Sequence, residues 1–245
     1  MSVTTRNLEG KVILLAGASS GMGRSTALAA ARAGAHVLLA SRNAAALSEV
    51  EETIHAFRGN ATSLPIDFTN HHDVRSLINR IRAEYDRVDA VVITVGANIR
   101  NRMLSELTLQ SWSDMLAINL TASFNITQAI VPIFREQNDG LIIYISSSAA
   151  KKPDPSGVAY QAAKAALVGL AHGTMEEERA NGIRTTVVFP GLTDTPMVLN
   201  RPTPTPPEVL EKALQPEDVA AACLFVLQLP SRAHVPELVL YPSRL

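Results

Sequence analysis

Hydrophobic and polar positions alternate along this chain between short, almost uniformly apolar runs and longer segments with helical spacing. The short runs are rich in valine, isoleucine and leucine, and they predict strands over residues 12–16, 36–40, 61–66, 90–94, 141–146, 185–189 and 237–240. Between them, apolar residues recur on one helical face, which predicts helices over residues 21–33, 44–58, 71–85, 111–136, 157–180 and 216–229.

This alternation runs through the whole chain without a linker or an internal repeat. Strands that are apolar throughout are typical of sheets whose two faces are both covered. Each strand–helix–strand unit implies a right-handed crossover, and a series of them implies parallel strands. We therefore predict an α/β fold in which residues 1–245 form a single domain: a Rossmann-like, doubly wound parallel sheet of about seven strands with helices on both faces.

One segment interrupts the alternation. Residues 193–215 hold a cluster of prolines, and proline at this density excludes a regular helix or a central strand. The cluster comprises Pro196, Pro202, Pro204, Pro206 and Pro207. An insertion between a strand and the next helix lies near the strand's carboxyl end, where ligands bind in such sheets. We expect residues 193–215 to form a substrate lid, and a surface loop without function is the alternative.

Composition narrows the function classes. Hydrophobic residues make up 47% of the 245 residues and charged residues 18%, which predicts a soluble globular protein with a large core. A net charge of -1 and an aromatic content of 4% argue against nucleic acid or a membrane surface as a partner. No stretch reaches the roughly 18 uncharged apolar residues of a membrane span, and the N-terminus lacks an apolar signal core. We expect a cytoplasmic protein.

The single cysteine and the histidines suggest no chemistry. Cys223 cannot form an intrachain disulfide, and its apolar surroundings predict a buried helix face rather than a nucleophile. The adjacent His71 and His72 stand at a predicted helix start, where we expect a solvated helix cap rather than a ligand pair. No metal site is predicted.

The first strand runs into a glycine-rich turn that opens the first helix. Glycines 17, 21 and 23 let the backbone turn tightly and approach an anion closely, and the helix N-terminus offers N–H groups with a partial positive charge. The spacing differs from the common Gly-x-Gly-x-x-Gly pattern, and a plain turn is the alternative. The predicted phosphate-binding turn comprises Gly17, Ser19, Ser20, Gly21, Met22 and Gly23.

The end of the second strand indicates which dinucleotide binds. In this fold that position faces the adenosine ribose, where an acidic residue would favour NAD. This chain has Ser41 followed by Arg42, which can pair with a 2′-phosphate, so we predict NADP(H). Asp67, at the end of the third strand, is expected to accept from the adenine amino group or to cap the next helix. Phe68 and Gly96 are assigned to the same cofactor site.

With these motifs placed, the chain resembles the short-chain dehydrogenase/reductase family, in its NADP-preferring branch, over nearly its full length. The resemblance rests on Gly17-x-x-x-Gly21-x-Gly23, on Ser147 with the run from Tyr160 to Lys164, and on residues 190–195. It implies that Lys164 holds the nicotinamide ribose hydroxyls. It also implies a homotetramer or homodimer that assembles through the helices at 111–136 and 157–180, although core packing would explain their composition equally well.

Further site residues follow from the same resemblance. It implies that Asn119 anchors a water in a proton relay, with a local helix hydrogen bond as the alternative. Pro190, Gly191, Thr193 and Thr195 match positions near the nicotinamide, where the two threonines are expected to contact the carboxamide and phosphates. A turn role for these threonines is the alternative.

The proton chemistry can be argued from the residues. Tyr160 and Lys164 stand one helical turn apart on one face. A free tyrosine has a pKa near ~10, and a neighbouring ammonium is expected to lower it, so that Tyr160 exchanges a proton with the substrate oxygen. Ser147, at the end of the fifth strand, would hydrogen-bond the same oxygen and stabilise its developing charge. We place Asn119, Ser147, Tyr160 and Lys164 in the catalytic set.

The chain departs from the family pattern in places. Ala16 stands where threonine is usual, and Thr94-Val95-Gly96 replaces Asn-Ala-Gly, which puts local hydrogen bonds and cofactor affinity in doubt. The C-terminus, residues 236–245, also lacks the usual glycine-rich strand.

The expected substrate pocket is largely apolar and contains no arginine pair. We assign Asn98, Ala149, Pro153, Met197 and Val198 to it, and we expect a small or medium apolar ketone, aldehyde or secondary alcohol as substrate. The sequence thus predicts an NADP(H)-dependent oxidoreductase that interconverts a carbonyl and an alcohol. The alternative is a non-catalytic NADP(H)-binding redox sensor. A methyltransferase also uses a glycine-rich first turn, but it would not need Ser147, Tyr160 and Lys164 together.

Overall fold

The computed structural model describes residues 8–244 and contains one sheet of parallel strands. The strands are β1 (Val12–Ala16), β2 (His36–Ser41), β3 (Asn60–Pro65), β4 (Ala90–Ile93), β5 (Gly140–Ile145), β6 (Ile183–Pro190) and β7 (Glu237–Leu240). The helices are α1 (Gly21–Arg32), α2 (Ala44–Ala56), α3 (His71–Glu84), α4 (Leu109–Leu116), α5 (Ala122–Gln137), α6 (Val158–Glu178), α7 (Pro207–Leu210) and α8 (Pro216–Leu227). The predicted fold class is confirmed.

The order of the strands in the sheet determines where a crevice for a ligand lies. The sheet has seven strands in the order β3-β2-β1-β4-β5-β6-β7, so β1 pairs with β2 on one side and with β4 on the other. The chain therefore changes direction across the sheet between β1 and β4, and the loops that leave their carboxyl ends diverge. Ligands of doubly wound sheets bind in the crevice between such loops.

Two apolar layers cover the sheet and explain why the strands read as continuous apolar runs. Leu14 and Leu38 point into the layer under α3, α5 and α6, and their neighbours Leu15 and Leu39 point into the layer under α1, α2 and α8. Successive residues of a strand face opposite sides, so a strand buried on both faces needs apolar residues throughout. Cys223 lies fully buried in the second layer, and burial raises the pKa of its thiol to about 12, which fits the expected structural role.

The long helix predicted at 111–136 is not continuous. It divides into α4, a π-helical turn at Ala117–Thr121 and α5. The helical stretch Leu109–Gln137 is long and apolar enough to cross a membrane by length and composition, and half of its most apolar window is buried inside the fold, as in core helices. Single π turns inside helices are frequent at functional sites, and this one carries Asn119.

The predicted lid contains short regular turns, contrary to the expectation that its prolines exclude helix. A 3-10 turn covers Pro196–Asn200 and α7 covers Pro207–Leu210, and each begins on a proline. Proline is compatible with a first helical position because the N–H it lacks would have no partner there. A bridge between Thr193 and Leu214 joins the two ends of the segment next to the sheet.

The histidines at the start of α3 do not cap it. Asn70 is the cap residue, and its side chain accepts hydrogen bonds from the backbone N–H groups of His72 and Asp73 at 3.0 and 3.3 Å. His71 and His72 are exposed residues of the first turn.

Candidate functional site

A cavity of about 400 Å³ opens at the carboxyl edge of the sheet, between the loops that follow β1 to β4. Most residues expected to bind the cofactor line it. They are Gly17, Ser19, Ser20, Gly21, Met22, Gly23, Ser41, Arg42, Asp67, Phe68, Gly96 and Thr195. Sequence reasoning did not assign Asn43, Thr69, Thr94, Val95 and Ile118, which also line it. Of these, Asn43, Thr69 and Val95 adjoin assigned residues in the chain.

The glycine-rich turn has a backbone that other residues would not allow. Gly17 has a φ of +98°, and a Cβ at position 23 would lie 2.2 Å from the carbonyl oxygen of Gly17. The turn leads directly into α1 at Gly21, and the side chain of the cap residue Ser20 makes no capping hydrogen bond. The first N–H groups of α1 are thus left for an anion, which is the usual phosphate-binding arrangement.

At the end of β2 a buried hydroxyl has no partner. Ser41 is 8% exposed, and its Oγ contacts no hydrogen-bonding group within the described residues. Arg42, exposed next to it, lines the same cavity. A buried polar atom without a partner is costly, and a phosphate oxygen would satisfy the hydroxyl while pairing with the guanidinium. The residues present therefore fit a dinucleotide with a 2′-phosphate.

Asp67 is held as a carboxylate by its own loop. It accepts hydrogen bonds from the backbone N–H and the hydroxyl of Thr69 at 2.9 and 2.8 Å. The backbone hydrogen bond is the largest influence that lowers the pKa of Asp67, and the charge of Arg42 adds to it. Since Asn70 caps α3, the alternative role of Asp67 as the helix cap is wrong.

Thr94 forms hydrogen bonds that the departure from the family pattern at residues 94–96 had put in doubt. Its Oγ1 donates toward the carbonyl oxygens of Ala16 and Gly17, at 2.9 and 3.1 Å. This hydroxyl therefore joins the end of β4 to the start of the glycine-rich turn.

Asn119 is hydrogen-bonded to the loop that follows β4. Its Nδ2 donates to the carbonyl oxygens of Ala97 and Met115, both at 2.9 Å, and its Oδ1 accepts from the N–H of Ala97 at 3.1 Å. The bond to Met115 is the local helix bond considered as the alternative, and the loop bonds exist beside it. Both amide hydrogens are used, so a relay water could bond only to Oδ1 or to the main chain.

Lys164 lies beneath the cavity with a buried ammonium. The residue is 3% exposed, and its Nζ donates to the carbonyl oxygen of Ile145 at 2.9 Å. A Cβ at position 96 would lie 3.2 Å from Nζ, so glycine at that position leaves space between the ammonium and the cavity. Burial lowers the pKa of Lys164 from 10.5 to about 8.

Tyr160 is not acidified in this structure, so the predicted effect of Lys164 is wrong here. Burial is the largest influence and raises the pKa of Tyr160 to about 12; a hydrogen bond with Ser147 and the charge of Arg102 oppose it, and Asp154 adds to it. The Lys164 ammonium lies 5.8 Å from the centre of the Tyr160 ring and is bonded to the Ile145 carbonyl. Tyr160 therefore holds its proton at neutral pH beside Ser147, as a proton donor requires.

A second, smaller cleft of about 100 Å³ contains Tyr160 and Ser147 and adjoins the first cavity. Met22, Thr195 and Met197 line both spaces. The expected residues that line the cleft are Met22, Asn98, Ser147, Tyr160, Pro190, Gly191, Thr193, Thr195, Met197 and Val198.

Two expected pocket residues lie elsewhere. Ala149 is 5% exposed and buried in the 3-10 turn Ser148–Ala150, and Pro153 is exposed on the loop that follows; neither lines the cleft.

The cleft is also more polar than expected. Ser148, Ser156, Asp154, Arg102 and Arg201 line it, so the prediction of an apolar pocket without an arginine pair is wrong. Arg102 follows β4 and Arg201 belongs to the segment 193–215, and only the fold brings them together. Their positions after the carboxyl ends of β4 and β6 were the available sequence signal.

The hydroxyl of Thr94 should stabilise the fold measurably. We expect Thr94→Val, which keeps the shape and removes the donor, to lower the free energy of unfolding by about 1 kcal/mol and to weaken cofactor binding. Thr94→Ser is the matched control and should retain most of both. Urea unfolding and a fluorescence titration with NADPH measure the two effects, and equal stability of Thr94→Val and the parent would contradict the assignment.

The buried ammonium of Lys164 should make stability depend on pH in a defined window. Between pH 8 and 10.5 the unfolded chain keeps the lysine proton that the folded chain has lost, so the free energy of unfolding should rise with pH. In Lys164→Met this contribution is absent. From pH 7 to 9.5 we expect the parent protein to gain about 2 kcal/mol relative to Lys164→Met in urea unfolding. Parallel stability profiles of the two proteins would show that the ammonium does not titrate in this range.

Comparisons with known proteins agree with this geometry. A family model described as short chain dehydrogenase matches residues 11–205. An uncharacterized oxidoreductase of Staphylococcus haemolyticus is 30% identical over 235 residues, which are 96% of this chain and 98% of the relative. An alcohol dehydrogenase from the archaeon Thermococcus sibiricus, solved with 5-hydroxy-NADP, superposes with a TM-score of 0.86 at 25% identity, over 95% of this chain and 97% of that one. A metagenomic short-chain oxidoreductase in complex with NADP superposes with a TM-score of 0.84 at 28% identity, over 96% of this chain and 98% of that one.

Proposed function

Because the chain belongs to the short-chain dehydrogenase family of oxidoreductases, we propose that it uses NADP(H) to interconvert a carbonyl compound and an alcohol. One observation carries the proposal: the cleft that holds Tyr160 and Ser147 adjoins the cavity formed by the glycine-rich turn, and Met22, Thr195 and Met197 line both. A substrate in the cleft would therefore adjoin a dinucleotide in the cavity. The two similar structures that hold NADP or its 5-hydroxy derivative support the choice of cofactor.

The residues of the first cavity would hold each part of the cofactor. The N–H groups at the start of α1 would bind the pyrophosphate, and Ser41 with Arg42 would bind the 2′-phosphate. Asp67 would accept from the adenine amino group. Lys164, next to Gly96, would donate to the nicotinamide ribose, and Thr193 and Thr195 would contact the carboxamide. When bound, NADP(H) supplies or accepts the hydride.

Tyr160 and Ser147 would both interact with the substrate oxygen. In the reducing direction the carbonyl carbon gains a hydride, and its oxygen takes the proton that Tyr160 holds at neutral pH. Ser147 would donate a hydrogen bond to the same oxygen and stabilise the charge that develops on it. Lys164, whose pKa lies at about 8, can exchange a proton near neutral pH and thereby help to reprotonate Tyr160.

Removing the phenol hydroxyl tests the proposal. We expect Tyr160→Phe to lower the rate of NADPH oxidation about 100-fold or more across a panel of ketones and aldehydes, while NADPH still binds. Tyr241→Phe, which removes a hydroxyl from a residue that is 55% exposed, is the matched control and should retain full activity. Cofactor binding without turnover by the parent protein would instead indicate a redox sensor.

The 2′-phosphate assignment has its own test. We expect Arg42→Ala to raise the KM for NADPH about 10-fold or more and to change the KM for NADH little, because only NADPH carries the phosphate that Arg42 would pair with. Arg75→Ala, which removes an arginine exposed on α3, is the control. Steady-state kinetics with both cofactors measure the effect, and an equal loss for NADPH and NADH would remove the assignment.

A further inference from the structure

We infer that the substrate carries an anionic group, a carboxylate or a phosphate, and that Arg201 together with Arg102 binds it in the cleft beside Tyr160. The inference rests on the proposed function and names the substrate class for that site. Both arginines line the cleft that holds Tyr160 and Ser147.

The two guanidinium groups are held by neutral partners. Arg102 is 5% exposed, and its Nε and Nη2 donate to the carbonyl oxygens of Ile99 and Asn200 at 2.8 and 2.5 Å. Arg201 is half-buried, and its Nη1 donates to the Thr205 hydroxyl at 3.1 Å. These bonds fix the orientation of the groups without neutralising their charges, and N–H donors of both remain for a further acceptor.

Some arginines elsewhere in the fold have carboxylate partners. Arg184 lies 2.6 Å from Asp139, and Arg135 pairs with Glu178. Within residues 8–244, by contrast, neither Arg102 nor Arg201 has a carboxylate within the 4.0 Å of an ion pair. The burial of an unpaired cation is costly, so a cleft that holds the buried Arg102 beside the half-buried Arg201 is suited to an anionic ligand.

The charges in the cleft do not cancel. Burial is the largest influence and lowers the pKa of Arg102; the charge of Arg201 lowers it further, and Asp154 and Tyr160 oppose this by smaller amounts. Asp154 lines the same cleft, but its Oδ1 accepts the backbone N–H of Ser156 at 2.8 Å, and it forms no ion pair with either arginine. Two cations and one carboxylate leave a net positive charge, and an arginine pair can bind the oxygens of a carboxylate or a phosphate through several hydrogen bonds.

The experiment compares pairs of carbonyl compounds in which one member carries an anionic group and the other does not. Acetoacetate is paired with its methyl ester, and dihydroxyacetone phosphate with dihydroxyacetone, so the two arms separate a carboxylate from a phosphate. With NADPH, we expect the parent protein to reduce at least one anionic member with a kcat/KM about 10-fold or more above that of its neutral partner. Arg201→Ala should lower that value about 10-fold and change the neutral partner less than about 2-fold.

Two further variants control for charge. Arg100→Ala removes a cation from an exposed position of the same loop outside the cleft and should leave the preference unchanged. Arg201→Lys keeps the charge without the guanidinium and should retain part of the preference. Arg102 is not the first choice for substitution because it also holds the lid at Asn200.

Binding separates the failure of this inference from that of the proposed function. Calorimetric titration of the NADP⁺-loaded protein should show that an anionic probe binds more tightly than its neutral partner, and that Arg201→Ala removes the difference. Reduction of the neutral probes without such a preference would overturn the inference and leave the proposed function intact. If no carbonyl is reduced, the proposed function fails and the titration alone decides this inference. An Arg201→Ala variant that raises the KM for NADPH but not for the substrate would assign Arg201 to the cofactor and overturn it.

Discussion

The buried ammonium of Lys164 constrains the whole site. Its partner is the carbonyl oxygen of Ile145, at the end of β5, and this neutral group does not compensate for the loss of solvent around a cation. The same low-dielectric surroundings lower the pKa of Lys164 to about 8 and raise the pKa of Tyr160 to about 12. Both groups are therefore biased toward their uncharged forms, and the tyrosine retains the proton that the proposed carbonyl reduction would need.

The π-helical turn between α4 and α5 positions the loop that lies beside that ammonium. The two amide hydrogens of Asn119 bond to the carbonyl oxygens of Met115 in the helix and of Ala97, and its side-chain oxygen accepts from the N–H of Ala97. These bonds fix the loop after β4. That loop includes Gly96, where a side chain would come within 3.2 Å of the lysine nitrogen. A regular helix would leave Asn119 in a different position relative to this loop, because a π turn accommodates one additional residue. The geometry of the π turn therefore helps to set the position of the loop that lies between Lys164 and the cavity.

The sequence predicted well those features that depend on local spacing. The strands β1 and β7 have the predicted bounds. The glycines of the first turn lie within seven residues of one another, and Tyr160 and Lys164 are four residues apart on one helix. The break at Asn119 was missed because the apolar pattern continues through it. The pKa of Tyr160 was predicted in the wrong direction because spacing along a helix brings two side chains together but does not show where the ammonium points.

The substrate cleft was predicted least well because it is assembled from distant segments. Ala149 belongs to a short 3-10 turn that buries it, a local rotation that no hydrophobic pattern reveals. Arg102 and Arg201 come from separate loops, and neither has a motif around it. In the structure Arg102 donates to carbonyl oxygens of both the β4 loop, at Ile99, and the predicted lid segment, at Asn200. An anion held between Arg102 and Arg201 would therefore contact both sides of the cleft, so that recognition of its charge and the position of the lid depend on the same guanidinium group.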